Sequence, residues 1–500
     1  MAARQRRTPG PADLTPALLK LGVVISLGAI MMQLDMTMTN VATNTLLRAF
    51  AVPLTTIQWV GTGYLISMAT VLPVGGWAME RFGARAVWTT SLTVFLVGSA
   101  LCGLAWSAPS LIAFRVVQGL GGGLILPVAQ SIMALEAGPQ RLAKAMALFG
   151  LPSLLGPVLG PVLGGVIVTD LSWRWIFSVN LPICLLALVL SARLVPATRM
   201  GAPGRLDLAG LALLSSGSVG LVFGFAEAGR AGSFTAARTA VPMLLGVAMT
   251  AGFVLRSLYG RGVAVVDVRL LARRAFGTAS AVMFLATIVM FGTMGLLPLY
   301  FQQVRGQSAL HTGLLMIPFG VGMGASLIVS SRLVERLGAR RLALSGLVLQ
   351  VAGNLALPRL DAGTAYLLIG AVQVVGGMGT GTVLVPVLAA SLGDLRGDQV
   401  PRGSTAIRVF QQLGGSLGCA VLFVVLQHRI TVRAVAAGGR PDAGVLGRAF
   451  GDTFWWPVVF GAAALLAALF LPPATARSQP LAGSPTGGAA AAEAVPHPPA

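Results

Sequence analysis

Apolar segments of helix length follow one another along almost the whole chain. About 20 apolar residues in a helix span the hydrocarbon layer of a bilayer, and lipid allows the backbone only helices or closed barrels. The segments are too long for barrel strands. With a mean hydropathy of +0.83 and 10% charged residues, the chain is predicted to be an all-α polytopic membrane protein. Fourteen spans are predicted, at residues 20–44, 56–79, 86–106, 109–135, 145–169, 175–195, 207–226, 239–258, 277–301, 310–331, 341–358, 363–391, 404–427 and 452–472.

Basic residues are concentrated in one set of the connections between these spans. The net charge of +20 comes from Lys and Arg in short segments, where they mark the cytoplasmic side of a membrane rather than a nucleic-acid surface. Residues 1–19 are therefore predicted to be a cytoplasmic tail, and the even number of spans returns the C-terminus to the same side. Residues 473–500, rich in Pro, Ala and Gly, are predicted to be a disordered tail. One cluster between the last two spans departs from this pattern: Arg429, Arg433, Arg440 and Arg448.

An internal repeat divides the chain. MERFGAR at 79–85 and VERLGAR at 334–340 are identical at five of seven positions, and the same spacing of 255 residues carries Gln118 onto Gln373. This predicts two parallel six-helix bundles, at 20–195 and 275–472, with two inserted helices at 207–258. The partner positions of Asp35 and Arg115 are Met290 and Gly370, so only the first half keeps buried charge.

Arg115 and Asp35 are the candidate proton-coupling residues. A guanidinium at membrane depth costs at least about 2.5 kcal/mol unless it is paired, and it cannot be neutralised by losing its proton. At 1.5 Å per residue the two side chains lie at similar depth in the outer half of the layer. The hypothesis is that they share a polar pocket in which protonation of Asp35 weakens its attraction to Arg115. The alternative is a permanent structural ion pair.

Three further sets of residues are candidates. Gln33, Asn40, Tyr64, Gln118 and Gln373 are predicted to line a substrate cavity, although polar side chains in spans also serve to hydrogen-bond neighbouring helices. Glycines at four-residue steps predict close helix packing in span five. That set is Gly156, Gly160, Pro161, Gly164 and Gly165. The repeated loops predict a shared mechanical, gating role, with a solvated hairpin as the alternative. Their residues are Gly76, Glu80, Arg81, Gly83 and Arg85 in the first half, and Glu335, Arg336, Gly338 and Arg340 in the second.

The residues that a disulfide, a metal site, an enzyme or an ATP-driven transporter would need are missing or scattered along the chain. Cys102, Cys184 and Cys419 all fall in apolar runs and are expected to be packing residues, with no disulfide and no metal site. His residues lie only in loops and the tail, and no second acid joins Asp35, so an enzyme is not expected. No GxxxxGK[ST] sequence occurs, which disfavours ATP-driven transport. No cofactor is expected beyond a proton gradient.

Several stretches together resemble the major facilitator superfamily, in particular its fourteen-span drug:proton antiporters of the EmrB/QacA type. LDMTMTNVA (34–42), GWAMERFGAR (76–85) and LIAFRVVQGLGGG (111–123) are similar to its first-span, loop and fourth-span motifs. GPVLGGVI (160–167) is similar to its fifth-span antiporter motif, and WRWIFSVNLP (173–182) is a further family-like stretch. The resemblance implies the major facilitator fold and a proton-transfer role for Arg115. In RVFQQLGGSLG (408–418), Gln411 stands where Arg is usual.

The predicted function is proton-coupled export of amphipathic, drug-like compounds across the cytoplasmic membrane by alternating access. Export of one dedicated metabolite or antibiotic is the alternative; a transport-inactive sensor or a membrane-embedded enzyme is more remote. The expected partners are the lipid bilayer, small amphipathic substrates and protons, without nucleic acid. Whether a periplasmic adaptor protein takes part is left open.

Overall fold

The structure is a computed structural model that describes residues 14–52, 54–153, 155–197, 207–259, 268–360, 363–393, 395–396, 399–436 and 442–472. Both predicted tails lie wholly or mostly outside these residues. Eighteen α-helices occur in the described part of the chain. They are α1 (Pro16–Val41), α2 (Thr43–Phe50), α3 (Leu54–Val71), α4 (Val74–Phe82), α5 (Ala84–Gly103), α6 (Ala108–Ser153), α7 (Leu155–Asp170), α8 (Trp175–Ser178), α9 (Asn180–Leu194), α10 (Leu208–Ala231), α11 (Ala237–Tyr259), α12 (Arg274–Gln303), α13 (Ala309–Leu315), α14 (Ile317–Leu337), α15 (Ala339–Ala356), α16 (Tyr366–Gly393), α17 (Val400–Ala436) and α18 (Ala443–Ala468).

Twelve helical segments in the described residues are long and apolar enough to cross a membrane. The predicted count of fourteen is not supported by these segments. The two predicted spans without a counterpart are the second, at 56–79, and the fifth, at 145–169. In the described residues α3 ends at Val71 and α4 begins at Val74, beside Pro73. The fifth predicted span covers the end of α6 and all but the last residue of α7, and residue 154 between these helices lies outside the described residues. Gly138, at φ 65° and ψ 173°, breaks the helical path inside α6, so the turns of α6 that follow it lead into the fifth predicted span.

The repeat seen in the sequence recurs in the backbone. Gly83 lies between α4 and α5 at φ 84° and ψ 149°, and Gly338 lies between α14 and α15 at φ 78° and ψ 155°. A residue with a side chain adopts such a positive φ only with strain, so both loops depend on glycine for the sharp reversal. The two gating-loop sequences therefore form the same turn in each half.

The inserted helices α10 and α11 form a hairpin that packs on both halves. Gly217, Gly220 and Gly246 bring their backbones together, and α10 packs on α3 and on α17. At the start of α10 the Asp207 carboxylate caps the helix by accepting from the Gly210 N–H and also accepts from Arg256 of α11, at 2.8 Å. The hydrogen bonds from Arg256 lower the pKa of Asp207.

The two halves meet through α6 and α17. The later turns of α6 pack on α14, α16 and α17. The hydroxyl oxygens of Ser131 on α6 and Ser404 on α17 lie 2.5 Å apart and both side chains are buried. This interface brings the halves together on the side of the gating loops.

Candidate functional site

Asp35 and Arg115 form an ion pair inside the first half. The side chains come from α1 and α6, and Arg115 Nη1 lies 2.6 Å from Asp35 Oδ2. The exposed fraction of Asp35 is 0% and that of Arg115 is 1%. Each charge therefore depends on the other, because an unpaired charge in such surroundings costs several kcal/mol.

Two amides complete the shell of the carboxylate. Asp35 Oδ1 accepts from Gln118 Nε2 at 2.9 Å and from Asn180 Nδ2 at 2.8 Å. Both amide nitrogens also donate to the hydroxyl of Ser99, at 3.2 and 3.0 Å, and Ser99 donates to the Phe177 carbonyl. Gln118, Asn180 and Ser99 are all buried. The result is one connected polar network that joins α1, α5, α6, α8 and α9.

The guanidinium of Arg115 is held on its other sides as well. Nη1 donates to Gln118 Oε1 at 2.8 Å, and Nε donates to the Val60 carbonyl at 3.3 Å. Its central carbon lies 4.0 Å from the centre of the Tyr64 ring, which is the geometry of a cation–π contact. The Tyr64 hydroxyl and Asn180 Oδ1 have no hydrogen-bond partner within the described residues. Two buried polar atoms beside the pair thus remain available.

The sequence builds this site by spacing and by glycine. Arg115 and Gln118 are three residues apart on α6, so they project from one face. A methyl group at Gly98 would lie 2.6 Å from the Gln118 nitrogen, and one at Gly119 would lie 2.6 Å from the Tyr64 carbonyl oxygen. Only glycine at these two positions lets α5 and α3 approach α6 closely enough for the network to form.

Two of the predicted cavity-lining residues lie beside the ion pair. Gln118 and Tyr64 are buried around Arg115, and Gln33 of α1 is half-buried. That these side chains line a substrate cavity stays a prediction. The side chain of Asn40 lies outside the described residues.

Gln373 does line a cavity, within the second half. This narrow cavity is also lined by Met290, Asn354 and Thr380. Gln373 Nε2 donates to the Leu315 carbonyl at 2.9 Å, whereas its Oε1 has no partner in the described part of the chain. The repeat spacing of 255 carries Asp35 onto Met290, Ser99 onto Asn354 and Gln118 onto Gln373. The positions that form the ion-pair network in the first half therefore line a cavity in the second half.

The first gating loop contacts the other half through Glu80. The Arg402 guanidinium of α17 donates two hydrogen bonds to the Glu80 carboxylate, with Nε 2.5 Å from Oε1. Gly76 faces the same arginine, since a methyl group there would lie 3.3 Å from Arg402 Cα. The Arg85 guanidinium donates instead to the Ala192 carbonyl of the first half. Of the charged loop residues described here, Glu80 thus pairs with the second half and Arg85 bonds within the first.

The remaining loop residues form no comparable link. Arg81 and Arg336 are exposed and Arg340 is half-buried, and no ion pair to them is found in the described residues. The side chain of Glu335 lies outside those residues. The two loops therefore share a backbone turn, while the described ion pair between halves comes from the first loop.

The predicted glycine face of α7 packs on α1. A methyl group at Gly160 would lie 2.7 Å from Thr37 Cβ, and one at Gly164 would lie 3.1 Å from Met38 Cα. Gly165 was wrongly included, because nothing lies within 4 Å of a methyl group at that position. One step along a helix turns the side chain by 100°, which takes Gly165 off the packed face. The side-chain surroundings of Gly156 and Pro161 lie outside the described residues.

Sequence reasoning missed Asn180 and Ser99 as site residues. Asn180 is the first residue of α9, and it falls in the family-like stretch WRWIFSVNLP, which offered a signal. Ser99 lies in an ordinary apolar run and offered none. The three cysteines are free; Cys102 and Cys184 are buried, and Cys102 lies 3.7 Å from Gln118 Oε1.

Known proteins resemble this chain over most of its length. A sequence profile of the Major Facilitator Superfamily matches residues 25–419. The Multidrug resistance protein B homolog of Mycobacterium tuberculosis is 38% identical over 450 residues, covering 88% of this chain and 81% of that protein. The Puromycin resistance protein pur8 of Streptomyces alboniger is 30% identical over 485 residues, covering 95% of each. The structure of the proton:xylose symporter XylE has the same fold, with a TM-score of 0.60 and 17% identity, over 91% of this chain and 96% of that one.

Proposed function

This chain belongs to the Major Facilitator Superfamily, a family of transporters rather than enzymes, and we propose that it exports amphipathic, drug-like compounds in exchange for protons. The membrane is the cytoplasmic membrane, with both termini on the cytoplasmic side. Relatives named for multidrug and antibiotic resistance support the export of drugs. Proton coupling rests on the buried pair of Asp35 and Arg115.

The observation that carries the proposal is a carboxylate without access to water whose partners are one cation and two amides. A proton that reaches Asp35 from outside neutralises the carboxylate and removes most of its attraction to Arg115. The acid then becomes a hydrogen-bond donor, and Asn180 Oδ1 beside it lacks a partner in the described residues. The amides can therefore hold Asp35 in both protonation states, while Arg115 is held tightly only in one.

Alternating access connects this proton step to the substrate. The two halves rock about a central cavity, and Glu80 with Arg402 holds them together on the cytoplasmic side in the state described here. Protonation of Asp35 loosens α1 from α6. Because α6 also forms much of the interface with the second half, this change alters the balance between inward-open and outward-open states.

The proposal includes fourteen crossings. The repeat spacing of 255 residues carries α3 and α4 onto α13 and α14, and it carries the fifth predicted span onto α17. Both of these counterparts contain segments long and apolar enough to cross a membrane. Two homologous halves in parallel orientation must cross equally often, so the second and fifth predicted spans of the first half cross as well.

The test is substrate-induced proton release from proteoliposomes that contain purified protein. Wild type is expected to release protons when an exported compound is added, and Asp35→Asn is expected to abolish this release while the variant still binds the compound. Arg115→Ala is expected to lose it too. Unchanged release from Asp35→Asn would rule out this carboxylate as the coupling group.

Export of one dedicated compound is the second candidate, favoured by a relative that is named for a single antibiotic. Resistance profiling of a deletion strain against chemically diverse compounds separates the two. Sensitivity to many compounds supports the multidrug exporter. Sensitivity to one supports the dedicated exporter.

A further inference from the structure

A second arginine lies deep in the molecule, at a distance from the Asp35 pair. Arg408 is a half-buried residue of α17 and faces a narrow cavity that is lined by residues of both halves. The cavity lies about 10 Å further along α6 than Arg115, because Gly122 is seven residues beyond it. Other lining residues are Met68 of α3, Leu72 just after it, Gly122 and Leu126 of α6, and Gln412 of α17.

Arg408 differs from the other inward arginines in its partners. Arg115 and Arg402 each contact a carboxylate. Arg408 donates from Nη1 to the amide oxygen of Gln411, at 2.6 Å, and no carboxylate lies within 4.0 Å of it in the described residues. A guanidinium has five N–H donors and stays charged, so one amide leaves most of its hydrogen-bonding capacity and all of its charge unmatched.

We propose that Arg408 binds an organic anion, so that the exported compounds include amphiphiles with a carboxylate or sulfonate group. Buried charges in proteins are paired, and a planar guanidinium fits the two oxygens of such a group. Gln412 adds an amide beside it, while Met68, Leu72 and Leu126 provide apolar walls for the rest of the molecule. Among the described residues no acidic side chain lines this cavity, so the positive charge of Arg408 disfavours lipophilic cations there.

This inference rests on the proposed export function and names its substrate class. The position suits that role, because residues of both halves line the cavity and transporters of this architecture bind substrates between their halves. A molecule bound there contacts α6, the helix that also holds Arg115. Its negative charge lies away from the Asp35 pair, so substrate and proton occupy separate sites.

The test is equilibrium binding to the full-length protein in phosphatidylcholine nanodiscs, without a proton gradient. The probes are 1-pyrenebutyrate, its uncharged amide and a pyrenylmethyl trimethylammonium salt, with empty nanodiscs as the blank. Wild type is expected to bind the carboxylate about tenfold more tightly than the amide, and the cation most weakly. The variants are Arg408→Gln, Arg408→Lys and, as a control on the same helix outside the cavity, Arg429→Gln.

Arg408→Gln is expected to lose the preference for the carboxylate while its binding of the amide stays within about twofold. Arg408→Lys is expected to keep part of the preference. Lysine retains the positive charge but lacks the planar guanidinium that donates two parallel hydrogen bonds to a carboxylate. Arg429→Gln is expected to match wild type. Equal binding of carboxylate and amide by wild type overturns the inference, and so does an unchanged preference in Arg408→Gln. Binding is measured without transport, so a failure of proton coupling would leave this result readable.

Discussion

Asp35 is held by neutral donors as much as by its cation. Gln118 and Asn180 both donate to Oδ1, and Ser99 accepts from both amides. A buried ion pair of any role needs hydrogen bonds to the remaining lone pairs of its carboxylate, and the two amides provide them. Under the proposed proton coupling, the same relay of amides also holds the carboxyl group when it carries a proton.

Ser99 offers a test of this relay, because Ser191 provides a matched control. Both serines are fully buried, and within the described residues Ser191 accepts only from Trp88 Nε1, at 2.8 Å, outside the network. Ser99→Ala and Ser191→Ala are each expected to lower the free energy of unfolding by about 1 kcal/mol. Only Ser99→Ala is expected to reduce the maximal rate of proton-coupled transport severalfold, measured in proteoliposomes. Equal transport losses in the two variants would mean that the relay has no role beyond stability.

Sequence alone could find the charged pair but not its surroundings. An arginine in an apolar helix is visible because its cost is large and independent of packing. Gln118 and Tyr64 were also singled out, but not as partners of Arg115, since the sequence does not show which face of a helix meets a neighbour. Ser99 could not be found at all, because a serine in an apolar run is unremarkable until the partner helix is known.

The contact between α7 and α1 depends on small residues. Gly160 and Gly164 face Thr37 and Met38, so α7 presses against the helix that contains Asp35. The spacing of four predicted this face correctly, because four residues complete slightly more than one turn. Gly165 was misassigned because a pair of adjacent glycines does not reveal which of the two faces the neighbour.

Gly160→Ala and Gly165→Ala form a matched pair within α7. Alanine favours a helix over glycine by about 1 kcal/mol at both positions. At Gly160 the new methyl group overlaps Thr37, so we expect a net loss of about 1–3 kcal/mol in the free energy of unfolding and slower transport. At Gly165 the methyl group meets open space, and stability is expected to be unchanged or slightly higher. Thermal unfolding in detergent checks both, and a stable Gly160→Ala variant would contradict the packing described here.

The two halves are linked on the side of the gating loops by Glu80 and Arg402. The first loop contributes the carboxylate, and α17 of the second half contributes the cation. The sequence repeat predicted a shared mechanical role for both loops, and the backbone turns at Gly83 and Gly338 are indeed alike. The repeat could not show that the partner of Glu80 lies on α17, more than 300 residues away.

Breaking this link is expected to open the cytoplasmic side. Glu80→Gln leaves Arg402 without its carboxylate, so distances between spin labels on the loop-side ends of α4 and α17 are expected to shift to longer values. The exchange Glu80→Arg with Arg402→Glu is expected to restore the wild-type distribution. Asp452→Asn, which breaks a 2.7 Å ion pair with Arg433 inside the second half, is the control and should leave the distances unchanged. Distances that stay short in Glu80→Gln would show that the pair does not hold the halves together.

At the scale of the whole molecule, hydropathy located every apolar segment but not the breaks within the helices. It did not show that α3 ends before Pro73. Proline and glycine allow such breaks, as at Pro73 and at Gly138 inside α6, yet the surrounding helices decide whether a break occurs. The Arg cluster near the last two helices is partly accounted for by Asp452, which pairs with Arg433 at 2.7 Å and lies 4.0 Å from Arg429.

The most direct test of proton coupling compares Asp35→Asn with the charge-neutral double variant Asp35→Asn/Arg115→Gln. The single variant leaves a buried guanidinium unpaired and is expected to lose about 3–5 kcal/mol of stability, whereas the double variant recovers most of it. Substrate-induced proton release and substrate exchange are then measured in the same proteoliposomes. The account predicts that the double variant exchanges substrate but releases no protons. Proton release at the wild-type level from the double variant would contradict it and would leave the pair a structural one.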